Sequence, residues 1–272
     1  MISYPEWYTI PAVKFQIIKY TYNRETAIIK PNYLDAKFRS VRMMRVHNVS
    51  HLDAWMKSMH IFDSQKLYNL YVSLAKYKEG IPYSTLKLAE RDFTDWKINH
   101  WKEMVSYDFL IDIDAGNLNE MDFAYYSAKE VKKFFDSCGT PYYLRFSGMG
   151  FHFIVPYDYF SHLNLSFDHT VENSIYRFFN GIAEKLHNRF SEMIDVRIYD
   201  SRRVIKIPFS LALYDDRVHL CKPFESDDDF NGFRLKNMIP AYHAHHVREM
   251  YEKLFNENGN VLKLLKELKI QF

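Results

Sequence analysis

Phe109-Leu110-Ile111-Asp112-Ile113-Asp114, and the run that follows it as far as Pro156, decide the fold of this chain. The six residues read as a strand. Phe109, Ile111 and Ile113 alternate onto one face, which leaves Asp112 and Asp114 together on the other. Asn119 to Ser137 reads as a helix, and Cys138-Gly139-Thr140-Pro141 stops it with a Gly and a Pro just past the last turn. Tyr142 to Phe146 is a second strand. After a tight turn at Ser147-Gly148-Met149-Gly150, a third strand runs from Gly150 to Pro156.

Working outward, Phe167 to Phe190 reads as a long helix, with Ile175, Phe178, Phe179, Ile182 and Leu186 on one face. Asp195 to Asp200 alternates as a half-buried strand does, with Asp195, Arg197 and Tyr199 on one side. Arg203 to Ile207 is another short strand, and residues 241–256 and 260–269 look helical. Upstream, residues 51–62 have the three-to-four spacing of a helix, and Leu67 to Ala75 reads as a strand. Lys37, Arg39, Arg42 and Arg45 crowd a short strand-like or helical stretch. This alternation predicts an α/β (α+β) architecture.

Composition narrows the class. The chain has 272 residues, 47% of them hydrophobic, so a sizeable core can form. Its 21 Tyr and 22 Phe are expected mostly to fill that core. A net charge of +2 excludes a polycation, so binding to nucleic acid would need local clusters of charge. The two cysteines, Cys138 and Cys221, exclude a disulfide framework or a four-cysteine zinc site within the chain. Cysteine usage, an N-terminus without a signal pattern and the lack of a long apolar run lead to the expectation of a cytoplasmic protein with no membrane span.

Three segments carry chemistry. Asp112 and Asp114 repel one another on one face of a strand, and a divalent cation relieves that repulsion. Gly148 and Gly150 bracket a turn in which backbone N–H groups can face an anion, with Ser147 and His152 beside it. Arg203 and Lys206 bring positive charge to an apolar strand that ends at Pro208, and Lys206 suits a phosphate as a point charge. Taken singly, each has an ordinary structural reading. These are two solvated aspartates at a strand end, a hairpin turn with a hydrogen-bonding histidine, and an edge strand with solvated basic side chains.

In this order, the segments resemble the archaeo-eukaryotic primase superfamily, and most closely its small catalytic subunit and archaeal, plasmid or viral relatives. Leu110 to Asp114 is similar to the family's first motif, Phe146 to His152 to its second, and Asp195 with Val204 to Leu211 to its third. The resemblance covers roughly residues 65–215 and implies an RRM-like unit beside an N-terminal α/β unit. It divides the chain into a catalytic domain over 1–240, with units at 1–105 and 106–215, and a helical segment over 241–272. It implies Mg²⁺ or Mn²⁺, two ions, on Asp112, Asp114 and Asp195, and triphosphate contacts from Ser147, Gly148, His152 and Lys206, with Arg203 as a phosphate contact or a structural salt bridge. The partners implied are single-stranded DNA, NTP or dNTP, and a large-subunit-like protein or a helicase. No structural zinc is expected.

The chain departs from the family in three ways. The second motif lacks the usual pair of arginines and is one residue shorter at Met149, Ala212 stands where many members have a histidine, and the cysteines of a zinc knob are missing. Arg145, Arg197 or Arg202 would have to compensate. Arg39, Arg42 and Arg45 offer a track for a template backbone or a solvated basic face. The acidic run Glu225 to Asp229 is expected as a solvated loop, and His243, His245 and His246 as solvent-facing. Rival readings are a repair or translesion primase-polymerase that extends ends, a degenerate nucleic-acid-binding homologue, and a DxD glycosyltransferase, which leaves the second and third segments unexplained.

Overall fold

The computed structural model of the chain describes residues 4–29, 40–43, 46–58, 69–79, 100–201, 203–214 and 217–271. The longer helices are α1 (Pro11–Thr21), α2 (Val49–Ser58), α3 (Met121–Cys138) and α4 (Ile175–Phe190). The strands are β1 (Arg24–Ile29), β2 (Ser40–Met43), β3 (Asn69–Tyr77), β4 (Met104–Tyr107), β5 (Phe109–Asp114), β6 (Tyr142–Phe146), β7 (Gly150–Val155), β8 (Val204–Lys206), β9 (Leu211–Tyr214), β10 (Arg217–Leu220), β11 (Lys222–Pro223) and β12 (Leu254–Phe255). One sheet has the order β2-β1-β3-β4 with β8 also on β3, another the order β11-β6-β7-β5 with β12 also on β6, and β9 and β10 form a hairpin. The class is α/β (α+β), as expected. Among the described residues no helix is long and apolar enough to cross a membrane.

The chain divides into two compact units, each built from three separate segments. The first comprises Met1–Ser73, Tyr143–His152 and Val204–Lys253. Here β1 lies antiparallel on β2, from Thr26↔Met43 to Ile29↔Ser40. β8 lies on the first half of β3, with Tyr71↔Lys206, Val72↔Ile205 and Ser73↔Val204 in register. An aromatic cluster fills this unit: Phe151 is 5.1 Å from Phe233, and Phe224 is 5.2 Å from Phe230. After β8 the chain turns at Phe209, whose φ of +66° is rare for a bulky residue. Two bonds hold it there: its N–H donates to the Cys221 carbonyl at 2.8 Å, and its carbonyl accepts from the Trp7 indole at 2.8 Å.

The acidic run is not a loop. The Ser226 hydroxyl accepts from the Asp229 N–H at 3.1 Å and caps a short helix over Asp227–Asn231, where carboxylates in the first turn suit the helix dipole. Asp229 also pairs with the buried Lys222 at 2.5 Å. Residues 241–256 differ from the expected helix as well. A short helix over Pro240–His243 gives way to turns such as His246 N–H to His243 C=O at 3.0 Å, and these bury Val247 and Met250 without helix. His243 is buried, with Nε2 2.8 Å from the Asn237 carbonyl, whereas His245 and His246 are exposed.

The second unit comprises Leu74–Tyr142, Phe153–Arg203 and Leu254–Phe272. The second half of β3 pairs with β4, from Ala75↔Tyr107 to Tyr77↔Met104 across a bulge. α3 buries Ala124, Ala128, Val131 and Phe135 and ends where expected, with Gly139 left-handed at φ +66°. α4 begins at Ile175, not Phe167. Upstream, Ser166 bridges Ser174, and the Asp168 carboxylate accepts from the Thr170 N–H at 2.9 Å; that local turn competes with helix. Phe109, fully buried, packs 4.9 Å from Phe179 and 5.9 Å from Phe160. The Leu254–Phe272 segment closes this unit: Phe255 stacks on Tyr142 at 5.2 Å. A Cβ on Gly259 would stand 1.8 Å from the Gly139 carbonyl oxygen, so this approach needs glycine.

Candidate functional site

The carboxylates lie in the second unit. β5 runs as predicted over Phe109–Asp114, and Ile113 forms an antiparallel bridge with Ile194. The Asp195 N–H donates to the Asp112 carbonyl at 2.9 Å, and the Asp114 N–H to the Met193 carbonyl at 3.2 Å. Residues directly opposite in an antiparallel pair project from the same face, so Asp195 joins Asp112 and Asp114 there. Asp112 is 5% exposed, Asp195 half-buried and Asp114 exposed.

The stretch after this bridge is not the expected strand. The Asp195 carboxylate accepts from the Arg197 N–H at 2.9 Å, a local turn that takes the chain out of the ladder. The Tyr199 hydroxyl donates to the Leu110 carbonyl, and burial, with Asp112 adding to it, holds its pKa well above the ordinary value. Arg203 Nη2 is 3.2 Å from Asp112 Oδ2 in an ion pair. Three carboxylates on one face are a hard-oxygen donor set of the kind Mg²⁺ and Mn²⁺ prefer. Among the described residues, however, no three acidic, histidine or cysteine side chains stand close enough together to hold a metal ion.

Ser147, Gly148, His152 and Lys206 belong to the first unit. The Ser147 N–H donates to the Gly150 carbonyl at 2.9 Å, which closes a two-residue hairpin turn. Gly148 takes φ +107° at its first central position, where glycine is required. His152 is buried; Ile154, on the same face of β7, is buried too, so both faces of the strand are covered. Ser147 and Lys206 are also buried. Of the arginines considered as compensation, Arg145 is engaged in a buried ion pair with Glu252 at 3.0 Å, and Arg197 is 92% exposed beside Asp195. Arg202 lies outside the described residues, as do Lys37, Arg39 and Arg45, while Arg42 falls on β2.

One residue that sequence reasoning missed is His219. It pairs with Ala212 in the β9–β10 hairpin, and burial, followed by the charges of Lys206 and Arg217, pushes its pKa down to about 4. Its signal was faint: a histidine between Val218 and Leu220 on an alternating stretch. His243 is pushed down to about 4 as well, by burial and then Lys222. Both folded values lie below the ordinary 6.5, so between the two the unfolded chain binds more protons and stability falls as pH drops from about 6.5 to about 4. Thermal melts across this window should show the wild type losing stability relative to a His219→Gln/His243→Gln double variant. Parallel curves would exclude buried neutral imidazoles.

No protein-family model matches the chain, and no curated protein matches it in sequence. Its fold is similar to that of the polymerase domain from Mycobacterium tuberculosis ligase D, solved in complex with DNA. The TM-score is 0.54 at 13% identity, over 90% of this chain and 88% of that domain. At this identity the likeness is one of fold.

Proposed function

We propose that this chain is a template-directed nucleotidyltransferase of the archaeo-eukaryotic primase superfamily, which synthesises primers on single-stranded DNA. The observation that carries the reading is the register at Ile113↔Ile194, which puts Asp195 opposite Asp112 on a fold shared with a polymerase domain. Asp112, Asp114 and Asp195, which share a face though their side chains do not converge here, would hold the metal ions. Two Mg²⁺ or Mn²⁺ ions, when bound, supply charge neutralisation and a more acidic attacking hydroxyl. Arg203 keeps the Asp112 carboxylate oriented through their ion pair. The Ser147 hydroxyl, His152 and Lys206 orient the β- and γ-phosphates, and Gly148 lets the backbone approach them, a contribution of positioning and electrostatics. Arg39, Arg42 and Arg45 follow the template backbone, and a large-subunit-like protein or a helicase assists initiation.

The test is primer synthesis on circular single-stranded DNA, with NTPs and dNTPs compared in Mg²⁺ and in Mn²⁺. Template-dependent products that vanish on chelation are expected; no product under any of these conditions would overturn the reading. A second reading, extension of existing ends, is favoured by the likeness to a polymerase domain that belongs to a ligase. Activity on an annealed primer alone, with none on the bare circle, would select it.

A further inference from the structure

We propose that His219 contacts the phosphate chain of the bound nucleotide, reaching it from the β9–β10 hairpin beside Lys206. The proposal rests on the nucleotidyl-transfer reading above. The register supplies the position: His219 pairs with Ala212, whose small side chain shares its face and leaves room for the ring. The ring meets Phe146 edge-on at 6.1 Å, and Phe146 is the last residue before the Ser147–Gly150 turn. A backbone hydrogen bond links the imidazole to Gly148, and the Lys206 charge acts on it directly. His219 is therefore where two sequence segments, the glycine turn and the lysine strand, meet.

The side chain also has unused capacity. His219 is 3% exposed, and its Nδ1 is buried with no hydrogen-bond partner among the described residues. A buried ring nitrogen without a partner is destabilising, and native structures keep such groups where something else completes them. A phosphate chain has the matching chemistry. Burial holds the imidazole neutral, and the charges of Lys206 and Arg217 add to it; a phosphate chain offsets that positive charge and so favours an imidazolium whose second N–H reaches a phosphoryl oxygen.

The test is steady-state nucleotide addition by wild type, His219→Ala, His219→Asn and His219→Gln, with inorganic tripolyphosphate as a competing probe. In H219A the nucleotide KM and the tripolyphosphate inhibition constant should rise together about tenfold, with kcat changed less than about threefold. H219N carries an amide nitrogen near the position of Nδ1 and should recover most of that loss; H219Q, whose amide nitrogen stands near Nε2, should not. Unchanged constants in H219A overturn the proposal. So does equal behaviour of H219N and H219Q, which marks a purely structural ring and decides the matter even where H219A does not fold. A wild type that adds no nucleotide removes the underlying reading, and this inference with it. An active wild type with unaffected variants removes this inference alone.

Discussion

Asp112→Asn is expected to slow nucleotide addition by about three orders of magnitude while the protein keeps its fold. Asn matches Asp in shape but has no charge, and a divalent ion needs that charge. Metal ligation at a phosphoryl-transfer site is worth several kcal/mol of transition-state stabilisation, and each 1.36 kcal/mol is tenfold in rate, which sets the figure of about 10³. Asp112 is the residue to change because it is buried at the centre of the carboxylate face, with Asp114 two residues on and Asp195 opposite. The substitution also removes the charge partner of Arg203. That guanidinium is 29% exposed, so water compensates much of the loss. Single-turnover extension beside a thermal melt checks both halves. Wild-type rates in a folded D112N would sink the metal assignment, and Asp112→Ala should lose activity in the same way.

Phe109→Ala should lower the melting temperature by about 10 °C. The side chain is fully buried against Phe179 at 4.9 Å, Phe160 at 5.9 Å and Tyr199 at 6.0 Å. Truncating such a phenylalanine costs about 3–5 kcal/mol through lost transfer energy and the cavity left behind. For a chain of this size each kcal/mol moves the midpoint by roughly 2–4 °C. Phe109 opens the strand that carries Asp112, so activity should fall at temperatures where wild type is still folded. A shift below about 3 °C would mean that neighbouring rings close over the gap.

What could be read from the sequence was local. β5 and β6 have the expected ends because an alternating run and a Gly-Pro stop are complete within a few residues. The hairpin at Ser147–Gly150 was legible for the same reason, since glycine at the first central position demands that turn. The misreadings arose where a short polar side chain took the backbone for itself. Asp168 does so ahead of α4, Asp195 after its bridge, and Ser226 at the acidic run. Pairings between distant segments left no local trace. The ion pair of Arg145 with Glu252 emerges only from tertiary packing, and the seat of His219 opposite Ala212 only from the register of β9 on β10. The aspartate face is intermediate: period-two alternation joins Asp112 to Asp114, but only the bridge at Ile194 sets Asp195 opposite them.

The interleaving of the two units bears on synthesis. β3 is complete at Tyr77, yet Tyr71 to Ser73 must wait for Val204 to Lys206 before that part of the ladder can close. At roughly 5–20 residues per second, translation leaves β3 without β8 for on the order of ten seconds. The second unit waits longer still, for the segment that brings Gly259 against Gly139. A nascent chain of this topology offers apolar strands at the ribosome exit long before their partners exist, the condition under which unpaired strand edges are prone to aggregate.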